Sequence, residues 1–456
     1  MRSWFYSGVV CAVLGGAGIA AVVAAEVPAK PNIIFVLADD LGYGDLGSYG
    51  QREIRTPHLD RMAAEGLRFT QCYAGSTVCA PSRCSLMVGQ HTGHCFVRGN
   101  ARIPLRPEDM TVAEILQSAG YRTALVGKWG LGEPDTTGIP NRQGFDFFFG
   151  YLNQRHAHNY WPEYLWRNGQ KVYLEGNAAK DGVSYERTHY SHDLMTEEAL
   201  QFIERSKEDP FFLYLAYTIP HANNEAREKG MEVPDDAPYS DKPWPQPQKN
   251  HAAMITRMDR DVGRLFETLK QLEIDEETIV FFTSDNGPHR EGGGDERFFN
   301  SAGPLRGLKR DLYEGGIRVP MIVRWPGVIT NGQVSDFVWA FWDFLPTAAV
   351  LAGAEPPPES DGLSVMPTLL GRPQEGHTFL YWEFHERGFK QAVRCGDYKA
   401  VRLRPGGPLE LYDLRTDLGE TTDLAAHRPA VVARIEKYLA TARTVSEHWP
   451  VKSTSP

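Results

Sequence analysis

Positive charge is what this chain has too little of. Its 48 lysines and arginines face 58 aspartates and glutamates, for a formal net charge of −10. Without a cationic excess, little counterion release can be gained from a phosphate backbone, which argues against general nucleic-acid binding. Local basic pockets for a small anion remain open. Paired Cys-x-x-Cys knuckles are missing as well. Cys72, Cys79, Cys84, His91, His94 and Cys95 crowd together, but their spacing does not describe a structural zinc site. There are no internal repeats and no low-complexity tracts. Beyond the N-terminus no stretch reads as membrane-spanning.

Cysteine itself is scarce, with six in 456 residues. Cys11 falls in an N-terminal segment that reads as an export signal. Arg2 is its charged start, an apolar run spans Val9 to Ala25, and Val23-Ala24-Ala25 fits a cleavage site. Residues 1–25 are therefore expected to be a signal peptide, and the mature chain a periplasmic or secreted protein. An uncleaved anchor is the alternative. Five cysteines remain, four of them between positions 72 and 95. Thiols tend to pair in an oxidising compartment, and an odd number invites the idea that one is chemically special.

What the chain does contain is an alternation of helices and apolar strands. Asn32 to Ala38 is a continuous apolar run ending in Asp39-Asp40, which suits a strand buried on both faces. Helices are predicted over Arg55–Gly66, Thr111–Ala119, His192–Ser206 and Ala252–Leu272. Strands are predicted over Thr123–Gly127, Phe211–Tyr217, Thr278–Thr283 and Val319–Val323. The aromatic and histidine-rich stretch from Gly144 to Trp166 reads as loop. The pattern predicts an α/β fold with a large, mainly parallel sheet flanked by helices. Near Pro356-Pro357-Pro358 the texture changes. Four short strands and a last helix, Pro429 to Thr441, then predict a smaller C-terminal antiparallel sheet with a packed helix. The expected division is a main domain over 26–370 and a C-terminal subdomain over 371–456.

Ligands in open α/β sheets bind outside the carboxyl ends of strands. Asp39-Asp40 follow the first strand, Lys128 the second, His221 the third and Asp285-Asn286 the fourth. These residues are expected to meet on one sheet edge. Asp39, Asp40, Asp285 and Asn286 are hard oxygen donors, better suited to Ca²⁺ or Mg²⁺ than to zinc. Gly42-Tyr43-Gly44-Asp45-Leu46-Gly47 matches the dinucleotide fingerprint G-x-G-x-x-G. That reading fails on charge: Asp39, Asp40 and Asp45 would lie where a pyrophosphate must sit, and no clean helix opens after Gly47.

Cys79-Ala80-Pro81-Ser82-Arg83 resembles the C-x-P-S-R motif of type I sulfatases, in the alkaline-phosphatase superfamily. Asn32–Gly47, Gly127-Lys128-Trp129, Thr283–Gly287 and Gly307-Leu308-Lys309 with Glu314–Pro320 resemble further segments of that family, in the family's order. The resemblance implies an alkaline-phosphatase-like fold, with a sulfatase catalytic domain over 26–370. It implies hydrolysis of sulfate monoesters, of a sulfated carbohydrate or an aryl sulfate. It also implies that a formylglycine-generating enzyme converts Cys79 to formylglycine, whose hydrate attacks sulfur with one oxygen and releases sulfate through the other. Asp39, Asp40, Asp285, Asn286 and the modified Cys79 would hold one Ca²⁺. Arg83 would hold the diol, Lys128 and Lys309 would clamp sulfate oxygens, and His221 would protonate the leaving alcohol, with Lys309 its rival.

Two positions depart from the family pattern. Where many members read K-W-H-L-G, this chain has Lys128-Trp129-Gly130-Leu131-Gly132. The histidine that would take the diol proton is absent, and His94 and His289 are candidates to replace it. Leu86-Met87-Val88-Gly89-Gln90 stands where L-x-T-G-R often follows, so conversion of Cys79 is expected to be less efficient. Substrate contacts are expected from His94, Arg98, Asn100 and His289, and from the aromatics and histidines of Asn153–Trp166. Two rival readings are a phosphonate or phosphate ester hydrolase of the same superfamily, and a non-catalytic protein that binds sulfated glycans.

Overall fold

A computed structural model describes residues 30–451; the export-signal reading of residues 1–25 lies outside the described residues. Strand β1 (Asn32–Ala38) is buried along its whole length, as its unbroken apolar run requires. Its side chains alternate between two cores: Ile33, Phe35 and Leu37 enter one, Ile34, Val36 and Ala38 the other. Each such side chain contributes about 1.5–3 kcal/mol when fully buried, so β1 is tied from both sides.

Ten further strands extend this sheet. The ones that matter here are β2 (Leu67–Tyr73), β3 (Arg122–Lys128), β4 (Phe147–Tyr151), β5 (Phe211–Ala216), β6 (Thr278–Ser284) and β7 (Arg318–Arg324). Their order across the sheet is β2-β7-β6-β1-β5-β3-β4. The five strands from β6 to β4 run parallel. β7 is antiparallel to β6, and β2 to β7. The sheet is therefore mixed and mainly parallel, with helices on both faces, as the alternation predicted.

Three elements differ from expectation. The stretch read as loop from Gly144 to Trp166 contains β4 and the start of a further strand, Tyr164–Arg167. The apolar run Phe147-Phe148-Phe149 pairs with β3, so a sheet neighbour decides its conformation. The helix expected from Ala252 begins at Gln246, after Pro245, with Pro247 in its first turn where a missing N–H costs nothing. β2 is not among the predicted strands; three of its seven residues are only partly buried and its pattern is weak.

Beyond the main sheet, strands Leu380–Phe384, Lys390–Cys395, Tyr398–Arg402 and Glu410–Asp413 form an antiparallel sheet. The helix Pro429–Leu439 packs on it through Ile435 and Leu439. A buried ion network stitches this sheet to the main body. Lys399 Nζ lies 2.9 Å from Glu314 Oε1, while Tyr73 donates to Glu314 Oε2 at 2.7 Å.

Near the carboxyl ends of the parallel strands, two strands approach too closely for side chains. Gly127, in β3, has φ +122, and a Cβ there would lie 1.9 Å from the Ala216 carbonyl oxygen of β5. Gly127→Ala is expected to cost about 3 kcal/mol or more, from overpacking plus a disfavoured backbone angle. Thermal unfolding checks this; an unchanged midpoint would mean that β3 and β5 are looser than this packing implies.

Candidate active site

β6, β1, β5 and β3 are adjacent and parallel, so their carboxyl ends share one edge. Ala38 is in register with Ser284, and Leu37 and Gly127 both with Ala216. Asp39-Asp40, Asp285-Asn286, Lys128 and the turn carrying His221 therefore emerge side by side. All four oxygen-donor residues are fully buried. Asp40 adopts φ +65, which turns the chain sharply after β1. Its N–H donates to Asp285 Oδ1 at 3.2 Å.

Cys79 is the first residue of the buried helix Cys79–Val88 and is 2% exposed. Its Sγ lies 3.3 Å from Asp39 Oδ1. One turn along the same helix, Arg83 reaches Asp285 Oδ2 through Nη2 at 2.8 Å and Nε at 3.1 Å. Its Nη1 donates to the Lys128 carbonyl at 2.6 Å. Ser82 Oγ donates to the Asp285 carbonyl. The helix is thus pinned to β6 and β3 through its first turn. Lys128 Nζ stands 2.6 Å from Asp39 Oδ2, and Lys309 Nζ 2.7 Å from Asp40 Oδ2.

The charges fit together. Burial alone would raise the Asp39 carboxyl, but Lys128 and Arg83 hold it well below its ordinary value. Burial works against the Lys309 ammonium, and Asp40 more than offsets it, so this lysine stays charged. Burial, together with Asp39, pushes the Cys79 thiol well up. An unmodified thiol here stays protonated, which makes it a poor nucleophile and a poor metal ligand.

The donor set suits a hard divalent cation. Asp39, Asp40 and Asp285 supply carboxylate oxygens. The Asn286 amide donates to Asp40 Oδ1 at 2.7 Å, while its own Oδ1 is buried without a hydrogen-bond partner among the described residues. An orphaned carbonyl oxygen beside three carboxylates is the donor chemistry of Ca²⁺ or Mg²⁺.

A cavity of about 360 Å³ opens onto Cys79. Asn100 lies in its wall and accepts from the Ala80 N–H at 3.0 Å. His94 and Arg98 do not line it, which corrects the expectation that they contact substrate there. His94 Nδ1 pairs with Asp361 at 2.8 Å, and Arg98 binds Glu383 and Thr444. Beyond Gly89 the chain runs between the loop that carries Asp361 and the C-terminal sheet that carries Glu383, and these carboxylates take His94 and Arg98. His289 is buried behind His221; Nε2 faces the Pro220 carbonyl at 3.2 Å, and Nδ1 accepts from the Glu291 N–H. With both nitrogens committed, it is not placed to take a proton. The five cysteines of the described residues are all free and buried.

The structure adds residues that the motifs did not single out. A Cβ on Gly130 would sit 2.3 Å from Gln154 Nε2, so Gln154 fills the space that a side chain at 130 would take. His158 stacks on His221 with ring centroids 4.8 Å apart and planes at 15°. Its Nδ1 is 2.9 Å from Glu225 Oε2. The histidines of Asn153–Trp166 were the only signal in the sequence.

This edge, with a buried carboxylate set facing a helix-borne cysteine on a mixed α/β sheet, defines a hydrolase of the alkaline-phosphatase-like fold. A sulfatase family profile matches residues 31–354, and a profile described as N-sulphoglucosamine sulphohydrolase, C-terminal, matches residues 308–444. The chain belongs to the sulfatase family and is a sulfuric ester hydrolase. It is 32% identical over 478 residues to an arylsulfatase of Hemicentrotus pulcherrimus, covering 92% of this chain and 81% of that one. It is 36% identical over 404 residues to an N-acetylgalactosamine-6-sulfatase of Sus scrofa, covering 82% and 72%. The crystal structure of Ps i-CgsB in complex with k-i-k-neocarrahexaose is similar, with a TM-score of 0.78 and 27% identity, covering 93% of this chain and 96% of that one.

Proposed function

We propose that this enzyme hydrolyses sulfate esters of carbohydrates, with residue 79 as formylglycine and one Ca²⁺ held by Asp39, Asp40, Asp285 and Asn286. The polarity of the cavity carries the carbohydrate reading. Its walls present Asn100, Glu133, Asn153, Gln154 and Asn224, together with cations and histidines, and among the described residues no phenylalanine, tyrosine or tryptophan. Such walls offer many partners to the hydroxyls of a sugar, while Ile103, Pro104 and Leu152 give an aryl or steroid face aliphatic contact but no ring to stack on. The N-acetylgalactosamine-6-sulfatase among the relatives supports the same class.

When present, the hydrated aldehyde supplies two oxygens on one carbon and the cation supplies positive charge beside them. The remaining roles belong to side chains seen here. Arg83 fixes Asp285 and the Lys128 carbonyl, and so sets the height of residue 79 above the sheet edge. Lys128 and Lys309 offer ammonium groups to the sulfate oxygens, worth about 2.7–4 kcal/mol per well-aimed donor in the transition state. His221 holds Lys309: its Nε2 accepts from Lys309 Nζ at 2.9 Å.

Every residue of the helix Cys79–Val88 is buried. A modifying enzyme cannot reach Cys79 in this fold, so conversion by a formylglycine-generating enzyme has to precede folding. We also propose that the protein lies outside the cytoplasm, on the export-signal reading of residues 1–25. Among the described residues no helix is long and apolar enough to cross a membrane.

Parallel assays test the reaction class. Sulfated monosaccharides are expected to give kcat/KM at least about tenfold above a steroid sulfate, and 4-nitrophenyl sulfate is expected to be turned over faster than a phosphonate monoester. A large excess of phosphonate turnover would assign the protein to the rival hydrolase reading instead.

A further inference from the structure

The cavity that opens onto Cys79 does not stand alone. A second cavity, of about 370 Å³, adjoins it, and Arg102, Asn153 and Arg155 lie in the walls of both. Asn153 is fixed at both ends of its amide. Its Oδ1 accepts from the His156 N–H at 3.0 Å, and its Nδ2 donates to Glu133 Oε2 at 3.1 Å. The two arginines are held far more loosely. Their side chains are 70% and 64% exposed, and each leans on one carboxylate, Glu133 at 3.9 Å and Glu225 at 3.3 Å. Ion pairs this exposed hold little, so both guanidinium groups are free to turn to a ligand that crosses from one cavity into the other.

One donor of the second cavity is built in. Asn159 lies in its wall and is only 4% exposed. Its Oδ1 accepts from the Trp161 N–H at 3.0 Å and from Ser184 Oγ at 2.8 Å. Two donors on one oxygen fix which end of the amide is which. Nδ2 is then the free end, with no hydrogen-bond partner among the described residues. A donor on so buried a side chain is costly to leave unpaired, and a ligand in the cavity supplies the acceptor. The charges of this cavity cancel. Against Arg102 and Arg155 its walls set Glu163 and Asp181. Burial and the nearby Lys171 push His156 down to about 4, so it adds no charge near neutrality. Glu133 and Glu225 draw on the same two arginines from the first cavity. No positive surplus is left for an anionic group, whereas sugar hydroxyls both donate and accept and match walls that offer both.

We propose that the second cavity binds the sugar next to the sulfated one in a glycan substrate, and that it selects an uncharged sugar. The proposal rests on the carbohydrate reading above. With the sulfated unit in the cavity of Cys79, the glycan crosses the ridge formed by Arg102, Asn153 and Arg155. There the two guanidinium groups donate to oxygens at and beside the linkage. Asn159 Nδ2 donates to a hydroxyl of the second sugar, and Glu163 and Asp181 accept from others. A uronate or a second sulfate on that sugar would bring its charge against those two carboxylates without a spare cation to offset it.

Substrates that differ only in the neighbouring sugar test this. Galactose, glucose and their N-acetylamino forms, sulfated at each hydroxyl in turn, are assayed in three versions: alone, linked to galactose and linked to glucuronate. For the sulfated unit turned over fastest, the galactose-linked version is expected to exceed the monosaccharide by about tenfold or more in kcat/KM, the worth of two or three hydrogen bonds. The glucuronate-linked version is expected to gain nothing over the monosaccharide. In Arg102→Ala with Arg155→Ala the advantage of the galactose-linked version is expected to disappear. In Glu163→Gln with Asp181→Asn the glucuronate-linked version is expected to gain about fivefold or more; asparagine tolerates the positive φ of Asp181. Equal rates for monosaccharide and galactose-linked version in wild type, or a wild-type preference for glucuronate, would overturn the proposal. So would arginine variants that lose equally on both neutral substrates, which would confine Arg102 and Arg155 to the first cavity. The wild-type comparison carries the test if a variant does not fold. Turnover of 4-nitrophenyl sulfate with refusal of every sulfated sugar would remove the carbohydrate reading itself, and this proposal with it. Turnover of sulfated sugars without any effect of the neighbour would remove only this inference.

Discussion

Cys79→Ala is expected to abolish turnover, by on the order of 10⁴-fold or more, while leaving the fold in place. The loss is large because no neighbour can stand in. Asp39, the group in contact with Sγ, is held ionised by Lys128 and Arg83 and belongs to the oxygen-donor set proposed to hold the cation. Lys128 and Lys309 are kept protonated, so neither is a nucleophile. The fold survives because the substitution removes one sulfur atom at the start of a helix. Arg83 and Ser82 keep their bonds to Asp285, and the Ala80 N–H keeps Asn100. Steady-state kinetics and a melting curve measured on the same preparation check both halves. Activity near wild type would refute the nucleophile assignment. A lost melting transition would mean that Cys79 is needed for packing rather than for chemistry.

Exhaustive chelation is expected to have the second-largest effect: loss of activity together with a lower unfolding midpoint, both restored by Ca²⁺. Asp39, Asp40 and Asp285 form a buried carboxylate set, and the ammonium groups of Lys128 and Lys309 lie against two of them. A divalent cation held by these oxygens would compensate the carboxylates now paired with the two lysines. Binding to the folded state alone adds about 2.7 kcal/mol at a free concentration one hundred times Kd. The calcium-dependent shift of the midpoint is therefore a readout independent of turnover. Zn²⁺ is expected to restore less, because the set is built from oxygen donors. Identical midpoints and rates for chelated and Ca²⁺-loaded protein would exclude a bound cation from both roles.

The meeting of Asp39, Asp40, Asp285, Asn286 and Cys79 on one edge was legible because the donors are local to motifs at strand ends. Asp39-Asp40 follow an unmistakable buried strand, and parallel strands deliver their termini to one edge whatever the loops do. His94 and Arg98 were misplaced for the opposite reason. They lie within 20 residues of Cys79 in sequence, yet their partners Asp361, Glu383 and Thr444 come from the far end of the chain. A polar residue near a nucleophile is drawn to whichever buried charge the tertiary fold brings closest. β4 was missed because Phe147-Phe148-Phe149 has no period of its own, and position 150 must be glycine only because of the neighbouring strand, where a Cβ would fall 2.0 Å from the residue 127 carbonyl oxygen.

By itself, the sequence determined the α/β class, the order of the strands that carry chemistry, the oxygen-donor set and the place of Cys79. Each depends on residues a few positions apart, where strand period and turn chemistry act directly. The tertiary structure alone decided which side chains share the cavity: Gln154 in the space beside Gly130, His158 and Glu225 paired across 67 positions, and His221 locked between Ala222 and Lys309. Those arrangements follow from packing and from the need to pair every buried charge, and both are settled only when distant segments meet.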